Sequence, residues 1–288
     1  ILGSKNLKPI KYNERRGSAQ CKSSIILASL KTKGETIIKA KKSRNHTELL
    51  CKHLNLPLQV KKFNNSDLIK INNKNKLLNI KSLNYKIPGD ISSASFFLIL
   101  TALNKNSKLI VKNININDSR IGVIKILKLM GVKIKFLNKK IYKGEKISDI
   151  FVEGCKKLKP IKCPTKLNSG AIDEFLAIFL LAAKADGISY FNNLQELNQK
   201  ESPRLKWGSK ILNKIGVKNK VTKKSIKIFG NPKLQVNKKI IIKNYLKDHR
   251  VFMTSVIAAL SFGGQWLIKD KDSVNTSFPT FLKIVRSL

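Results

Sequence analysis

The sequence predicts an α+β fold built from repeated βαβαβ-type units, and three observations carry that expectation. Apolar helical stretches begin near Ala19, Ser92, Ala171 and His249, at successive offsets of 73, 79 and 78 residues. Each is followed by a Gly or Asn turn and a short strand, the mark of a repeated supersecondary unit. The chain is also long and apolar enough, at 288 residues and 42% hydrophobic, to bury a full core and form two domains. No low-complexity tandem repeat is present, so internal duplication is the economical source of the regularity.

The elements follow in order. The strands after the first helices are expected at 36–38, 109–111, 188–191 and 266–268, introduced by turns at Gly34, Asn106, Gly187 and Gly264. A second helix then ends in Leu54-Asn55-Leu56, Met130-Gly131-Val132 or Ile215-Gly216-Val217, where Asn or Gly suits a left-handed cap. The fourth copy stops before that point. After each cap two short strands are expected, at 58–63 with 68–71, 132–136 with 140–142, and 217–221 with 225–228. The first helix of each unit is read as apolar nearly all round, as in residues 172–180, which places it inside a domain with the second helix outside.

Charge needs a separate explanation. Lys and Arg number 58 against 17 Asp and Glu, a formal net charge of +41 that ordinarily suggests nucleic acid or an anionic membrane. Arg supplies only seven of the 58, the Lys are spread over every segment, and aromatics are few, so no stacking platform for bases is evident. A composition-driven surface that attracts small anions is the reading, with a basic nucleic-acid-binding protein as the alternative. The longest apolar runs, at 96–103 and 175–183, are far shorter than the roughly 18 residues of a membrane helix. Cys21, Cys51, Cys155 and Cys163 form no CxxC pair and have no His at zinc spacing, which implies reduced thiols, a cytoplasmic location and no metal site. Walker, GxGxxG, GxSxG and HExxH motifs are absent, which argues against nucleotide, serine-hydrolase and zincin chemistry. Ile1 stands where an initiator Met would, with no signal peptide after it, so a fragment is expected.

A buried helix offers solvent mainly its N-terminus, where unpaired N–H groups and the helix dipole favour anions. Polar residues gather at these starts: Ser18 and Gln20, Ser92 and Ser93, Asp173 and Glu174, His249 and Arg250. Ordinary N-capping accounts for Ser or Asp, but Gln20, His249 and Arg250 are poor caps. Residues 200–204, Lys-Glu-Ser-Pro-Arg, are expected to begin an outer helix with Pro203 in its first turn and Lys200 and Arg204 on one face. Two cations there oppose the dipole, and either a bound anion or a salt bridge to Glu201 compensates. Arg44, in Ser43-Arg44-Asn45-His46-Thr47-Glu48, holds the same place in the first unit and is read as a ligand contact. Arg120 has no acid or base beside it in sequence and is read as structural. Arg250 has the planar fork that suits carboxylate or phosphate. Asp173 is the best isolated carboxylate for proton transfer, with a plain helix cap as its other possible role.

Taken in order, Ser18-Ala19-Gln20-Cys21-Lys22-Ser23, residues 43–48, Pro88-Gly89-Asp90-Ile91-Ser92-Ser93-Ala94, Ile172-Asp173-Glu174, residues 200–204, Asp248-His249-Arg250 and Thr276-Ser277-Phe278-Pro279 resemble the EPSP synthase (3-phosphoshikimate 1-carboxyvinyltransferase) family of enolpyruvyl transferases. The resemblance runs over essentially the whole chain. It implies an inside-out, α/β barrel-like arrangement with parallel helices within, in two domains of three units each. Residues 1–87 would be the last unit of an incomplete shikimate 3-phosphate-binding domain, and 88–288 the second domain. No counterpart of the family's N-terminal Lys-Ser pair or Gly-rich loop is found, so the chain would correspond to its C-terminal two thirds and be inactive alone. Pro203 replaces the family's usual acid.

Carried over by motif, Ser18, Ala19, Gln20, Arg44, Asp173 and Lys200 would bind shikimate 3-phosphate, and Gln20, Arg204, His249 and Arg250 phosphoenolpyruvate. Asp173 would accept the proton of the attacking 5-hydroxyl, and Glu201 would act at the methylene carbon. The implied reaction serves chorismate and aromatic amino acid biosynthesis, needs no metal or organic cofactor, and suits a monomer with no membrane or specific nucleic-acid partner. A UDP-N-acetylglucosamine enolpyruvyl transferase is the nearest enzymatic alternative, and the Ser-Ala-Gln and Ser-Arg-Asn-His-Thr-Glu segments argue against it.

Overall fold

A computed structural model describes residues 6–73, 80 and 82–288; the expected first domain, 1–87, therefore includes residues 1–5, 74–79 and 81 that lie outside the described ones. The chain separates into two compact units, one of 1–87 with 140–147 and the other of 88–139 with 148–288. Among the described residues no helix is long and apolar enough to cross a membrane.

Unit 1 holds the first repeat: β1 (Lys11–Glu14), α1 (Ala19–Ser29), β2 (Gly34–Lys41), α2 (His46–His53), β3 (Leu58–Lys62) and β4 (Ser66–Asn73). Its sheet has the order β1-β2-β4-β3, with β1 parallel to β2 and the other pairs antiparallel. A parallel pair needs a crossover, and α1 supplies it. Strand β2 alternates strictly, with Thr36, Ile38 and Ala40 buried, and β4 buries Asp67, Ile69 and Ile71, so one face of the sheet meets α1 and α2. Ile26, Ile38, Ala40, Cys51, Ile69 and Ile71 form the core. The expectation that every first helix is apolar nearly all round fails for α1. It buries only Lys22, Ile26 and Ser29, and Leu27 is 58% exposed. The physical reason is local: Ile25, Ile26 and Leu27 are consecutive, so they fan around the helix instead of forming a stripe.

The second repeat comprises α3 (Ile91–Leu103), β5 (Lys108–Asn115), α4 (Gly122–Leu129), β6 (Ile134–Tyr142) and β7 (Glu145–Glu153). The third has α5 (Phe175–Ala183), β8 (Ile188–Phe191), α6 (Arg204–Lys214), β9 (Asn219–Val221) and β10 (Ile226–Phe229). The fourth has β11 (Lys239–Ile242), α7 (His249–Phe262), β12 (Gln265–Ile268) and the short α8 (Phe281–Arg286). Three small sheets result, β5-β7-β6, β8-β10-β9 and β11-β12. The parallel pairing of β1 with β2 recurs as β11 with β12 and as single bridges from Gly89 to Ile114 and Lys162 to Tyr190. Each inner helix is therefore the crossover of a parallel pair. The sheets remain open and separate, so no barrel closes, while the α+β class holds.

In unit 2 the inner helices α3, α5 and α7 pack on one another. All nine residues of α5 are buried, and Phe175, Phe179 and Phe191 meet at ring separations of 5.2–6.0 Å. Outer helix α6 lies close on α5 at Gly208, where a methyl group would come within 2.7 Å of the Phe179 ring.

Three boundaries differ from expectation. The strand pair of the second repeat is 134–142 with 145–153; the segment 140–142 continues β6 instead of starting its partner. Lys143 and Gly144 both take positive φ, 49° and 88°, the backbone of a two-residue hairpin turn. Helix α5 begins at Phe175, after a turn over 170–174, and not near Ala171. Helix α6 begins at Arg204, because a residue before proline is driven out of the helical region and Pro203 itself occupies the cap position. Strands β1 and β11 were not foreseen. The caps were: Asn55, Gly131 and Gly216 have φ of 52°, 90° and 82°.

Candidate active site

The start of α6 in unit 2 carries a side chain that water scarcely reaches. Arg204 is 1% exposed, and its guanidinium is turned on three carboxylates. Nε donates to Asp248 Oδ2 at 2.9 Å and Nη2 to Asp248 Oδ1 at 3.3 Å. Nη1 donates to Asp173 Oδ1 at 3.4 Å, and Nη2 also donates to Glu201. Lys200 Nζ lies 3.6 Å from Asp173 Oδ1 and 3.2 Å from Glu196. Because the helix starts at Arg204, Lys200 and Glu201 are not on its face as expected; they reach the same cluster from the bend before it. The salt bridge to Glu201, one of the two compensations open at the sequence level, is present.

Asp248 caps α7, accepting from Arg250 N at 2.9 Å and from Ser202 Oγ at 2.8 Å. Burial alone would raise its carboxyl, but the hydrogen bonds and charge of Arg204, with Ser202 and the Arg250 N–H, hold it below the ordinary range. His249 is pushed the other way, toward the neutral imidazole, by burial first and then by the neighbouring Arg250 charge. Arg250 Nη1 donates to the Asp173 carbonyl at 3.0 Å. Asp173 is no helix cap: Glu174 occupies that position, and its side chain makes no cap bond. Asp173, Lys200, Glu201, Arg204, His249 and Arg250 thus form one cluster of acids and cations at the starts of α5, α6 and α7. Two carboxylates bracketed by cations can take up and return protons, and the guanidinium groups suit anionic oxygens.

Ser18, Ala19, Gln20 and Arg44 belong to unit 1. Ser18 caps α1, its Oγ accepting from Cys21 N at 3.2 Å, while Gln20 is exposed on the first turn. The segment of Arg44 is tied to α1 by Lys22, whose Nζ donates to the Arg44 carbonyl at 2.9 Å and lies 2.6 Å from Glu48 Oε1. Sequence reasoning passed over Lys22 and Glu48; a lysine one turn before Ile26 on the buried side of α1 was the available signal. It also read Arg120 as lacking an acid, but Arg120 Nη2 donates to Asp90 Oδ1 and Ser92 Oγ, both at 2.7 Å. That partner is 30 residues away and left no local trace.

A family model for EPSP synthase (3-phosphoshikimate 1-carboxyvinyltransferase) matches residues 1–285. Among curated relatives, the 3-phosphoshikimate 1-carboxyvinyltransferase of Petrotoga mobilis is 34% identical over 289 residues, covering all of this chain and 65% of its own length. That of Ruthia magnifica is 36% identical over 294 residues, with 64% of its length covered. The chain therefore spans about 65% of the length of the curated relatives it matches. A solved EPSP synthase from Acinetobacter baumannii superposes with a TM-score of 0.87 at 34% identity, over 98% of this chain and 63% of that one. The enolpyruvyl transferase NikO from Streptomyces tendae, 13% identical with a TM-score of 0.74 over 99% of this chain and 65% of its own, shares the fold. The repeated helix starts, the acid and base cluster of unit 2 and a match unbroken from residue 1 to 285 lead to one conclusion: the chain belongs to the EPSP synthase family.

Proposed function

We propose that the full-length gene product transfers the enolpyruvyl group of phosphoenolpyruvate to the 5-hydroxyl of shikimate 3-phosphate and releases phosphate. The observation that carries this reading is the pair Asp173 and Glu201, joined through Arg204 in a chain whose relatives bear that activity in their names. Asp173 takes the proton from the attacking hydroxyl as oxygen bonds to C2 of phosphoenolpyruvate. Glu201 delivers a proton to the methylene carbon, then recovers one as the C2–O bond to phosphate breaks and the vinyl group re-forms. Lys200 steadies the hydroxyls of shikimate 3-phosphate. Arg204, His249 and Arg250 receive the carboxylate and phosphate of phosphoenolpyruvate, where charge develops as phosphate leaves. Ser18, Ala19, Gln20 and Arg44 hold shikimate 3-phosphate from unit 1, with Gln20 also facing phosphoenolpyruvate. Residues 1–87 serve as the end of the shikimate 3-phosphate domain and 88–288 as the second domain. The protein acts as a cytoplasmic monomer, and its lysine excess serves no specific nucleic acid.

The test is phosphate release by the full-length gene product. We expect release from phosphoenolpyruvate only when shikimate 3-phosphate is present, and no release when UDP-N-acetylglucosamine replaces it. Asp173→Asn and Glu201→Gln should each lower kcat by about a hundredfold or more while substrate affinity changes little. Turnover at the unaltered rate in both variants would remove the proton-transfer assignment.

A further inference from the structure

Lys22, one turn into α1, is fully buried, and none of the roles given above uses it. Its ammonium is spent on the segment that carries Arg44. Nζ donates to the Arg44 carbonyl at 2.9 Å and lies 2.6 Å from Oε1 of Glu48, in the first turn of α2. The next residue of α1 makes a second link, with Ser23 Oγ and Thr47 Oγ1 2.6 Å apart. The usual local device for starting a helix is missing: Asn45 occupies the cap of α2 without a side-chain cap bond. The buried Ser43 Oγ likewise has no hydrogen-bond partner among the described residues. Two side chains of α1 reach across to the entry of α2 instead. The start of α1 bears Ser18, Ala19 and Gln20, with Ser18 capping the helix and the Lys22 amide donating to the Ser18 carbonyl at 3.2 Å. One short helix thus bears one strip of the shikimate 3-phosphate contacts proposed above and, a turn later, the side chains that anchor the other.

We propose that Lys22 is a positioning residue for the shikimate 3-phosphate site: by holding the Arg44 carbonyl it sets where Arg44 stands relative to Ser18 and Gln20. This role rests on the enolpyruvyl-transfer reading, which gives those residues their ligand. A buried ion pair exchanged whole for apolar groups of similar size is often neutral for stability, so a firm core does not call for one here. An ammonium has three N–H donors, and Lys22 uses them on a carboxylate and a backbone oxygen together, which an apolar side chain cannot do. A contact delivered from backbone already held in place loses less freedom on binding than one from a loose turn.

The experiment compares the unaltered full-length gene product with the double variant Lys22→Met with Glu48→Met, with Ser23→Ala, and with each of these combined with Arg44→Ala. Steady-state phosphate release gives kcat and KM for each substrate, and thermal melts give stability. The double variant should melt within about 3 °C of the unaltered protein. It should nevertheless raise KM for shikimate 3-phosphate about tenfold, with kcat within about threefold and KM for phosphoenolpyruvate unchanged. Ser23→Ala should move the same constant about threefold. Added to Arg44→Ala, the double variant should change it by less than about twofold, because the residue through which Lys22 acts is gone. A merely structural pair behaves otherwise, its KM recovering together with its melting temperature. An unchanged KM for shikimate 3-phosphate, an equal rise for both substrates, or an undiminished rise on top of Arg44→Ala overturns the proposal. Should the double variant melt far below the unaltered protein or fail to fold, the same criteria apply to Ser23→Ala. An unaltered protein that releases no phosphate with shikimate 3-phosphate overturns both this role and the functional reading. One that does, with the double variant matching it in every constant, overturns this role alone.

Discussion

Lys22 in unit 1 and Arg204 in unit 2 are both withdrawn from water, at 0% and 1% exposure, yet they are neutralised in different ways. Lys22 sits on an inner helix and serves one junction: Glu48 of α2 at 2.6 Å and the Arg44 carbonyl at 2.9 Å. Arg204 sits on an outer helix and serves three, reaching Asp248 at the start of α7, Asp173 before α5 and Glu201 in its own bend. The difference follows from shape. An ammonium is a compact point charge, whereas the guanidinium offers five N–H groups in a plane and can span several carboxylates. Lys22 with Glu48 is a closed pair of one acid and one base. Arg204 meets three carboxylates, and Lys200 and Arg250 bring the further positive charge around Asp173.

Removing the cation is the strongest way to break this comparison. Arg204→Met should lower unfolding free energy by about 4–5 kcal/mol, since a buried carboxylate is left without its partner. A loss below about 1 kcal/mol in urea melts would show that the three carboxylates find compensation elsewhere. Lys22→Met should cost less, about 3 kcal/mol, and Lys22→Met with Glu48→Met should regain most of it, because a buried pair replaced whole by apolar groups is often neutral. Failure of the double variant to recover would mean that Glu48 has a further role; its Oε2 has no hydrogen-bond partner among the described residues. The smallest effect, about 2 kcal/mol near neutral pH, is expected for Asp248→Asn, which keeps the shape of the hub and removes its charge. Asp248 has a folded pKa below its ordinary 3.8, so its contribution is present above that value and fades as pH falls through the folded one. The gap between Asp248→Asn and the unaltered protein should therefore close in acid; a gap of constant size would deny the carboxylate that part.

Much of this arrangement could be read from the residues. The inner helices announced themselves because α3 and α5 are apolar on every face, and the caps because Asn55, Gly131 and Gly216 follow helical runs. Helix α1 misled because its large apolar residues Ile25, Ile26 and Leu27 are consecutive, so composition resembled burial while geometry did not. At the site, chemical type picked out Asp173, Arg204 and Arg250, whereas Glu201 entered as more than a salt-bridge partner only through the family resemblance. The links among them were not legible: Arg204 to Asp248 spans 44 residues, and Arg120 to Asp90 spans 30. Such contacts depend on how helices from different repeats meet, which no local pattern encodes. Pro203 was legible as a helix-start residue but was placed one turn too late, because its effect on Ser202 outweighed its tolerance within a first turn.

The parallel setting of α3, α5 and α7 has an electrostatic consequence at their far ends. At their starts Arg250 of α7 donates to the Asp173 carbonyl before α5 at 3.0 Å, and α5 and α7 end where Lys184 lies 5.8 Å over the Phe262 ring. Helices set side by side in one sense repel one another, and their carbonyl ends crowd three negative poles together. There the unit places a cavity of about 200 Å³ rimmed by Lys105, Lys156, Lys157 and Lys184, beside the closing residue Leu103 of α3. Cations are favoured at such an end, and Lys105 and Lys184 stand there, while Lys157 is paired with Asp186 at 2.9 Å. A bundle of alternating sense would cancel its own field.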